Sequence, residues 1–514
     1  MKNKRIFASL LAALMLTSAL AGCSDSSGSG GGAESKTPSG ESSKPSENSS
    51  ETETETEAET EPAQIKPDIP ETADYGDDDI SFLVWDREGW AGTVRRYRDI
   101  IAEDGINGEG INDAVYNRNS RIESAYKVKI TLERTPDSGF VAKINTSIGA
   151  GEAIYDVIYP RLVEAVTLFK SGKVHNLHNV KYIDFEKPWW DSNSVDTLTI
   201  NGFLPCAATS MNVNDKDATA AIAFNKELAQ SHNLEDLYTV VREGRWTIDK
   251  AAEFSDVADA DTDGNGTMEP DKDIYGFLGG MDVMESFYYG AGGMMAKKND
   301  SGELEFVFGT ERDLDISAKV IEFMNQPWFM NHHMIKNTDD NYYRQLFVEG
   351  HGLFFWMRLD DVTNMREGET DFGILPIPKY EETQSDYYSM VSRWITGLPS
   401  IPITLTGEKL DEVGLILEAL SADSHYTLIP EYIETSLKTK NSRDAESGEM
   451  LEVILANRVY DPMHIYNFGN FSGNYIELGN KGDPNIASFL KGNQKLVAKT
   501  MSKDLESFTQ YAAN

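Results

Sequence analysis

The chain has 514 residues and a formal charge of −37, from 84 Asp and Glu set against 47 Lys and Arg. A field of that sign repels polyphosphate, and no basic patch stands out in the reading of the chain, so nucleic acid is not expected as a partner. Aromatic residues make up 10% of the chain, with eight Trp, enough to build a sizeable core. There are only two cysteines, Cys23 and Cys206.

In chain order, Lys2, Lys4 and Arg5 precede an apolar run from Ile6 to Leu20, which leads into Leu20-Ala21-Gly22-Cys23. A charged start, a short apolar core and small residues at the exit describe a secretory signal, too short to remain as a spanning helix. The cysteine directly after Leu-Ala-Gly resembles the bacterial lipoprotein signal. That resemblance implies cleavage after residue 22, lipidation of Cys23 and display on the outer face of the cell membrane. With Cys23 given to lipid, Cys206 has no disulfide partner. Residues 23–74 are rich in Ser, Gly, Pro, Thr and Glu, with a Glu-Thr alternation from Glu51 to Glu61. Such a composition cannot offset its ordering entropy and reads as a disordered tether. No later run of apolar residues is long enough to span a bilayer.

From residue 75 the pattern becomes globular. Ile80–Trp85 reads as a buried strand, 111–128 as a helix, Lys129–Leu132 as a strand, Gly139–Ile148 as a helix, Tyr155–Tyr159 as a strand and Arg161–Lys170 as a helix. Strand–helix alternation argues for an α/β fold with a parallel, doubly wound sheet, whose ligands sit beyond the carboxyl ends of the strands. Trp85, Asp86, Tyr159 and Arg161 fall at those ends. Further on, Ala220–Lys226 is a strand, and Thr247 is a plausible N-cap for a helix opening at Trp246-Thr-Ile-Asp249. Asp313–Met324 and Thr338–Gly350 are helical, and Gly352–Met357 and Asp371–Tyr380 are strand-like. Leu410–Ala422, Tyr426–Leu437, Ser447–Ala456 and Ile486–Ala513 are helical.

Several stretches together resemble the extracellular solute-binding proteins of bacterial ABC importers, of the carbohydrate-binding family 1 kind. They are Gly151-Glu-Ala-Ile-Tyr-Asp-Val157, Lys187-Pro-Trp-Trp-Asp191, Ala223-Phe-Asn-Lys-Glu227, Trp246-Thr-Ile-Asp249, Phe372-Gly-Ile-Leu-Pro-Ile-Pro-Lys379 and Leu437-Lys-Thr-Lys-Asn-Ser-Arg443. The resemblance implies a two-lobe, periplasmic-binding-protein-like fold with a hinge and an interlobe cleft. Following the family's layout, the chain would cross near 210–217, 349–352 and 388–394. Lobe 1 would be 75–212 plus 352–387, and lobe 2 would be 213–351 plus 388–514. It further implies a monomer that captures a carbohydrate, expected to be an oligosaccharide, and hands it to the permease subunits of an importer, with no catalysis and no organic cofactor.

Sugar clefts use aromatic faces against pyranose rings and charged or amide groups against hydroxyls. The candidates are Trp85, Asp86, Glu88 and Trp90 after the first strand, Tyr159 at the end of the third, Trp356 and Arg358 after the strand that returns to lobe 1, and Arg393 with Trp394 at the last crossing. Trp189 and Trp190 read instead as packing for a surface loop. The sharpest local motif is Asp261-Thr-Asp263-Gly-Asn265-Gly-Thr267-Met-Glu269. Its oxygen ligands at alternate positions and glycine at the sixth match a calcium loop. Position 12 is Lys272 where a carboxylate is required, so Asp273, one place on, would have to serve; otherwise the loop is a solvated acidic turn. His332-His333 lacks partners at metal-ligand spacing. Two other functions remain open: a glycoside hydrolase or lyase built on a carboxylate pair, and a calcium-dependent surface adhesin.

Overall fold

The computed structural model describes residues 64–86, 96–103, 105–331, 340–365, 368, 370–437 and 445–513. The signal segment, residues 23–63 of the tether with Cys23, Glu88, Trp90 and the His332-His333 pair lie outside these residues. Residues 67–74, expected as tether, are instead ordered against the fold, with the Ala73 amide donating to the Ala125 carbonyl and the Tyr126 hydroxyl to the Pro70 carbonyl. The described residues from 67 onward form one compact unit.

The unit is built on two sheets. In the first, β1 (Asp78–Trp85) lies between β2 (Val128–Thr135) and β3 (Val157–Tyr159), all parallel. Five of the last six residues of β1 are fully buried, as an apolar run in a sheet covered on both faces must be. The connections are α1 (Gly110–Tyr126) and α2 (Asp137–Ala150), and α3 (Leu162–Phe169) follows β3. Helix α1 opens where the Glu109 carboxylate accepts from the Asn112 amide, buries Ile111, Val115, Ile122 and Tyr126 at helical spacing, and stops at Lys127 in the left-handed region, φ 52°.

The second sheet has the order β10-β4-β9-β5-β8. Its strands are β4 (Ala220–Asn225), β5 (Tyr275–Leu278), β8 (Phe329–Met330), β9 (Gly352–Arg358) and β10 (Phe372–Leu375), and β6 (Ala296–Lys298) with β7 (Leu304–Phe306) form a separate hairpin. Strands β5, β8 and β9 are parallel, whereas β4 is antiparallel to β9 and β10, so this sheet is mixed rather than parallel throughout. One face is covered by α4 (Ile248–Ala258), α5 (Val283–Gly290) and α6 (Glu311–Met324), the other by α7 (Asp340–Val348), α8 (Leu359–Met365) and α11 (Ala445–Ala456). The Thr247 hydroxyl accepts from the Lys250 amide at the start of α4, as its position suggests.

The lobe boundaries differ from the expected layout in two places. No crossing occurs at 349–352: Gly352 pairs with Tyr275, and β9 and β10 both join β4, which puts 352–375 in the second lobe. Nor does everything after 388 stay there. Beyond β11 (Ser389–Met390), which pairs with β12 (Arg458–Val459), the chain bridges from Thr219–Val391 to Ser400–Ile158 and Pro402–Val174 and so returns to the first sheet. Helices α9 (Glu408–Tyr426) and α10 (Leu428–Leu437) then pack on α1. Strand polarity is the reason: β9 carries a full set of ladder partners in β4 and β5, a fact that apolar patterning does not contain. The last elements are α12 (Pro462–Tyr466), against α3, then α13 (Phe471–Asn480) and α14 (Ile486–Tyr511). Helix α14 begins beside Gly309 and ends at the first lobe, where the Asn201 and Asn176 amides donate to the Leu505 and Ala512 carbonyls.

Candidate binding site where the two sheets meet

Two strands of chain join the lobes side by side, 210–219 and 391–397. They are tied by the Ser392 amide donating to the Ala218 carbonyl (2.9 Å), the Asn212 amide group donating to the Gly397 carbonyl (3.1 Å), and the Gly397 amide donating to Asn214. The carboxyl ends of β1 and β3 in one sheet and of β5, β8 and β9 in the other lead to this junction, the position where open α/β sheets bind ligands.

Aromatic rings and guanidinium groups alternate there. Trp85 ends β1, and Arg96 and Arg161 stand over its ring at 5.7 and 5.3 Å from the centroid. Gly397 closes on the same indole, where a Cβ would come within 3.3 Å of Nε1. Arg161 is held by Glu164 one turn into α3 (Nε to Oε2, 2.8 Å) and reaches the Trp394 carbonyl at 3.5 Å. Trp394 is 36% exposed, in contrast to the fully buried Trp85, and Arg393 lies 4.9 Å over its ring. On the other side Trp356 packs on Gly280, where any Cβ would fall 2.7 Å from the ring, and Arg358 stands 6.0 Å from it. Asp360 joins the two halves: Arg96 Nη2 donates to Oδ2 at 2.8 Å, and Arg358 Nε lies 3.5 Å from Oδ1. Burial pushes the Asp360 carboxyl up, but Arg358 and Arg96 outweigh it and hold the group below the usual carboxylate range. Its neighbour Asp361, paired with Arg344, is pushed up by burial and by the Asp360 charge.

Arg393 is positioned from beneath. Its backbone N–H donates to His464 Nε2 (3.1 Å) and its Nη1 to the His464 carbonyl (2.7 Å), while His464 Nδ1 meets Glu285 Oε2 at 2.8 Å. Because Nε2 accepts, the ring proton sits on Nδ1 and is donated to Glu285. Glu285, His464 and Arg393 are all buried.

The structure thus brings Trp85, Trp356, Arg358, Arg393 and Trp394 into one connected cluster through Arg96, Arg161 and Asp360. It does not bring Asp86 or Tyr159 in. The Asp86 amide continues the ladder to Thr135 and its carboxylate faces Arg134 on β2 at 3.5 Å; Tyr159 is turned into the core beside Phe82. Burial pushes the Tyr159 phenol well up. Arg161 was legible as a residue at a strand end; Asp360, two residues after β9, was missed, although its place just past a buried strand could have marked it. Glu285 and His464 lie far apart in sequence and carry no local signal.

Trp189 and Trp190 are buried in the first lobe, where both indole N–H groups donate to the Glu418 carboxylate of α9, at 2.9 and 2.8 Å. Burial raises the Glu418 carboxyl to about 7 despite these donors. Cys206 is buried and its thiol is pushed up by that burial.

The Asp-rich loop sits between α4 and β5, at the end of the second sheet away from the junction. Ligand oxygens of Asp261, Asp263 and Asp273 lie within 4.8 Å of one another. Asp261 accepts from the amides of Gly264 and Gly266, both at positive φ, and Asp273 from those of Thr262 and Glu269. Asp273 is buried and held low, chiefly by the Glu269 amide. Lys272 turns away to Glu269 (2.6 Å), and Asp273, one place on, is the carboxylate that faces Asp261 and Asp263. The Asn265 side chain donates to Asp263 and Glu269, and Glu269 is not among the converging carboxylates. The donor set is all oxygen, which suits a hard divalent cation.

No protein-family model matches the chain, and no curated protein matches its sequence. Solved structures do resemble it. An ABC substrate-binding protein of Listeria monocytogenes in complex with cycloalternan superposes with a TM-score of 0.53 at 11% identity, covering 83% of this chain and 99% of that one. UspC of M. tuberculosis gives 0.53 at 13% identity, covering 82% and 100%. The GacH receptor of Streptomyces glaucescens, solved unliganded and in complex with acarbose, gives 0.50 at 12% identity, covering 85% and 99%. Among the described residues no helix is long and apolar enough to cross a membrane. With these likenesses and the two-sheet architecture together, the chain has the two-lobe α/β fold of the solute-binding proteins of ABC importers.

Proposed function

We propose that this protein is a membrane-tethered solute-binding protein that captures an oligosaccharide between its lobes and passes it to an ABC importer's permease without chemical change. The observation that carries this reading is the cluster of Trp85, Trp356 and Trp394 interleaved with Arg96, Arg161, Arg358 and Arg393 at the ends of both sheets. The partly exposed Trp394 indole offers an apolar face to a pyranose ring and guanidinium forks donate to hydroxyl oxygens, while Trp85 and Trp356 are buried behind them. Ligand held by both lobes favours the closed arrangement by its extra contacts there, and the paired segments 210–219 and 391–397 are where the chain bends. The neighbours' ligands, cycloalternan and acarbose among them, support the carbohydrate class. The lipid anchor on Cys23 supplies the tether.

The Asp261–Asp263–Asp273 cradle is read as a structural Ca2+ site, away from the cleft; its converging carboxylates support this. The ion would neutralise them and pin the loop ahead of β5.

The test is a thermal-shift screen of the 67–514 unit with mono- and oligosaccharides, followed by chromatography of the sugar. A ligand at a hundred times its Kd stabilises by about 2.7 kcal/mol. A saturable shift with intact sugar is expected. Cleavage products would establish the hydrolase reading instead, and no shift with any sugar would end the carbohydrate assignment.

A further inference from the structure

Helix α14 carries a feature that ligand capture does not use. From Ile486 to Lys503 it contains no Asp or Glu, in a chain where acids far outnumber bases, and it carries Lys491, Lys495, Lys499 and Lys503 at every fourth position. All four are exposed, and none makes an ion pair among the described residues. Four residues advance a helix by about 6 Å and 40°, so the row runs roughly 18 Å along α14 and turns through about 120°. It is centred opposite the face of Val497, Met501 and Phe508, which is buried against the protein. Of the acids after the row, Asp504 is engaged by Lys170 at 2.8 Å, and the exposed Glu506 stands one turn beyond Lys503 on the same outer face, where it closes the row. Like charges at i,i+4 destabilise a helix unless something outside neutralises them. Between the lysines lie Gly492 and Ser502, which present no bulk, and Leu496, 50% exposed, stands at the edge of the row.

We propose that the outer face of α14 docks this protein on an anionic lipid bilayer, with the four lysines against lipid phosphates and Leu496 entering the headgroup region. A helix with a basic face and an apolar edge lies in the interface plane. The chain's overall charge opposes approach to such a surface. Screening limits that opposition to about 8 Å at physiological salt, so the charges nearest the bilayer decide, and on α14 those are lysines. Membrane tethering, part of the proposed function, is what keeps this face near a bilayer, but docking requires no carbohydrate.

The experiment is co-sedimentation of the 67–514 unit, which has its own core and lacks the tether, with phosphatidylglycerol-rich or pure phosphatidylcholine vesicles, no sugar present. Binding to the former alone, abolished at high salt, is expected. The quadruple variant Lys491→Gln, Lys495→Gln, Lys499→Gln, Lys503→Gln should bind at least about tenfold more weakly with an unchanged melting temperature. Equal binding to both vesicles, or undiminished binding by the variant, would overturn the proposal. So would capture of soluble polyphosphate by the lysine row without vesicle binding. Because no sugar is present, failure here leaves the carbohydrate reading untouched.

Discussion

The protein uses tryptophan in two opposite ways. In the first lobe Trp189 and Trp190 are clasped edge-on: both indole N–H groups end on the Glu418 carboxylate, and the rings are buried. At the junction Trp85 and Trp394 are addressed face-on by Arg96, Arg161 and Arg393, and Trp394 remains partly open. An indole whose polar edge is satisfied internally and whose faces are packed has nothing left for a ligand. One that is held by cations over its face, with part of its surface open, does. By that measure Trp394 has surface left for a ligand, whereas Trp85, 2% exposed, is packed as fully as Trp189 and Trp190.

The largest effect should come from breaking the clasp. Glu418→Ala strands two buried donors and leaves a cavity, and should cost about 3 kcal/mol in a denaturant melt. Next, Trp394→Ala should leave that melt almost unchanged while weakening binding of the sugar found by the thermal screen by roughly thirtyfold, about 2 kcal/mol, by calorimetry. If Trp394→Ala instead destabilised the fold as Glu418→Ala does, the distinction between the two regions would be lost.

The clasp also predicts a pH signature. Glu418 titrates at about 7 when folded, above its ordinary value, so between these limits the folded state holds a proton the unfolded state has released. Stability from this group is therefore fully present at acid pH and is lost as pH rises to about 7, a change on the order of 1–3 kcal/mol. Unfolding midpoints at pH 5 and pH 8 should differ less in Glu418→Gln than in the wild type; equal differences would contradict the assignment. The smallest effect belongs to the Asp-rich loop. Calcium should raise the melting temperature by about 1–2 °C, EDTA should reverse this, and Asp273→Asn should remove the response.

How far each region was legible follows from the range of its interactions. Strand β1, helix α1, the Thr247 cap and the α/β class all rest on apolar spacing and caps within a few residues, and these appear in the structure within a residue or two. Trp85 and Trp394 were legible as a strand end and a crossing. Asp86 was not separable from them, because only pairing with β2 shows that its carboxylate is turned toward Arg134.

By itself, then, the sequence determined where chain becomes strand or helix, the acidic balance, the Asp-rich loop and the lysine spacing of α14, since each depends on near neighbours or on composition. Tertiary structure alone decided that β9 and β10 join β4 rather than the first sheet. It also decided that Glu285 and His464 support Arg393, and that one carboxylate on α9 satisfies two indoles. The physical reason is the same in each case. Strand pairing and buried hydrogen bonds join residues far apart in the chain, and a sequence states which groups need partners without stating which partners they find.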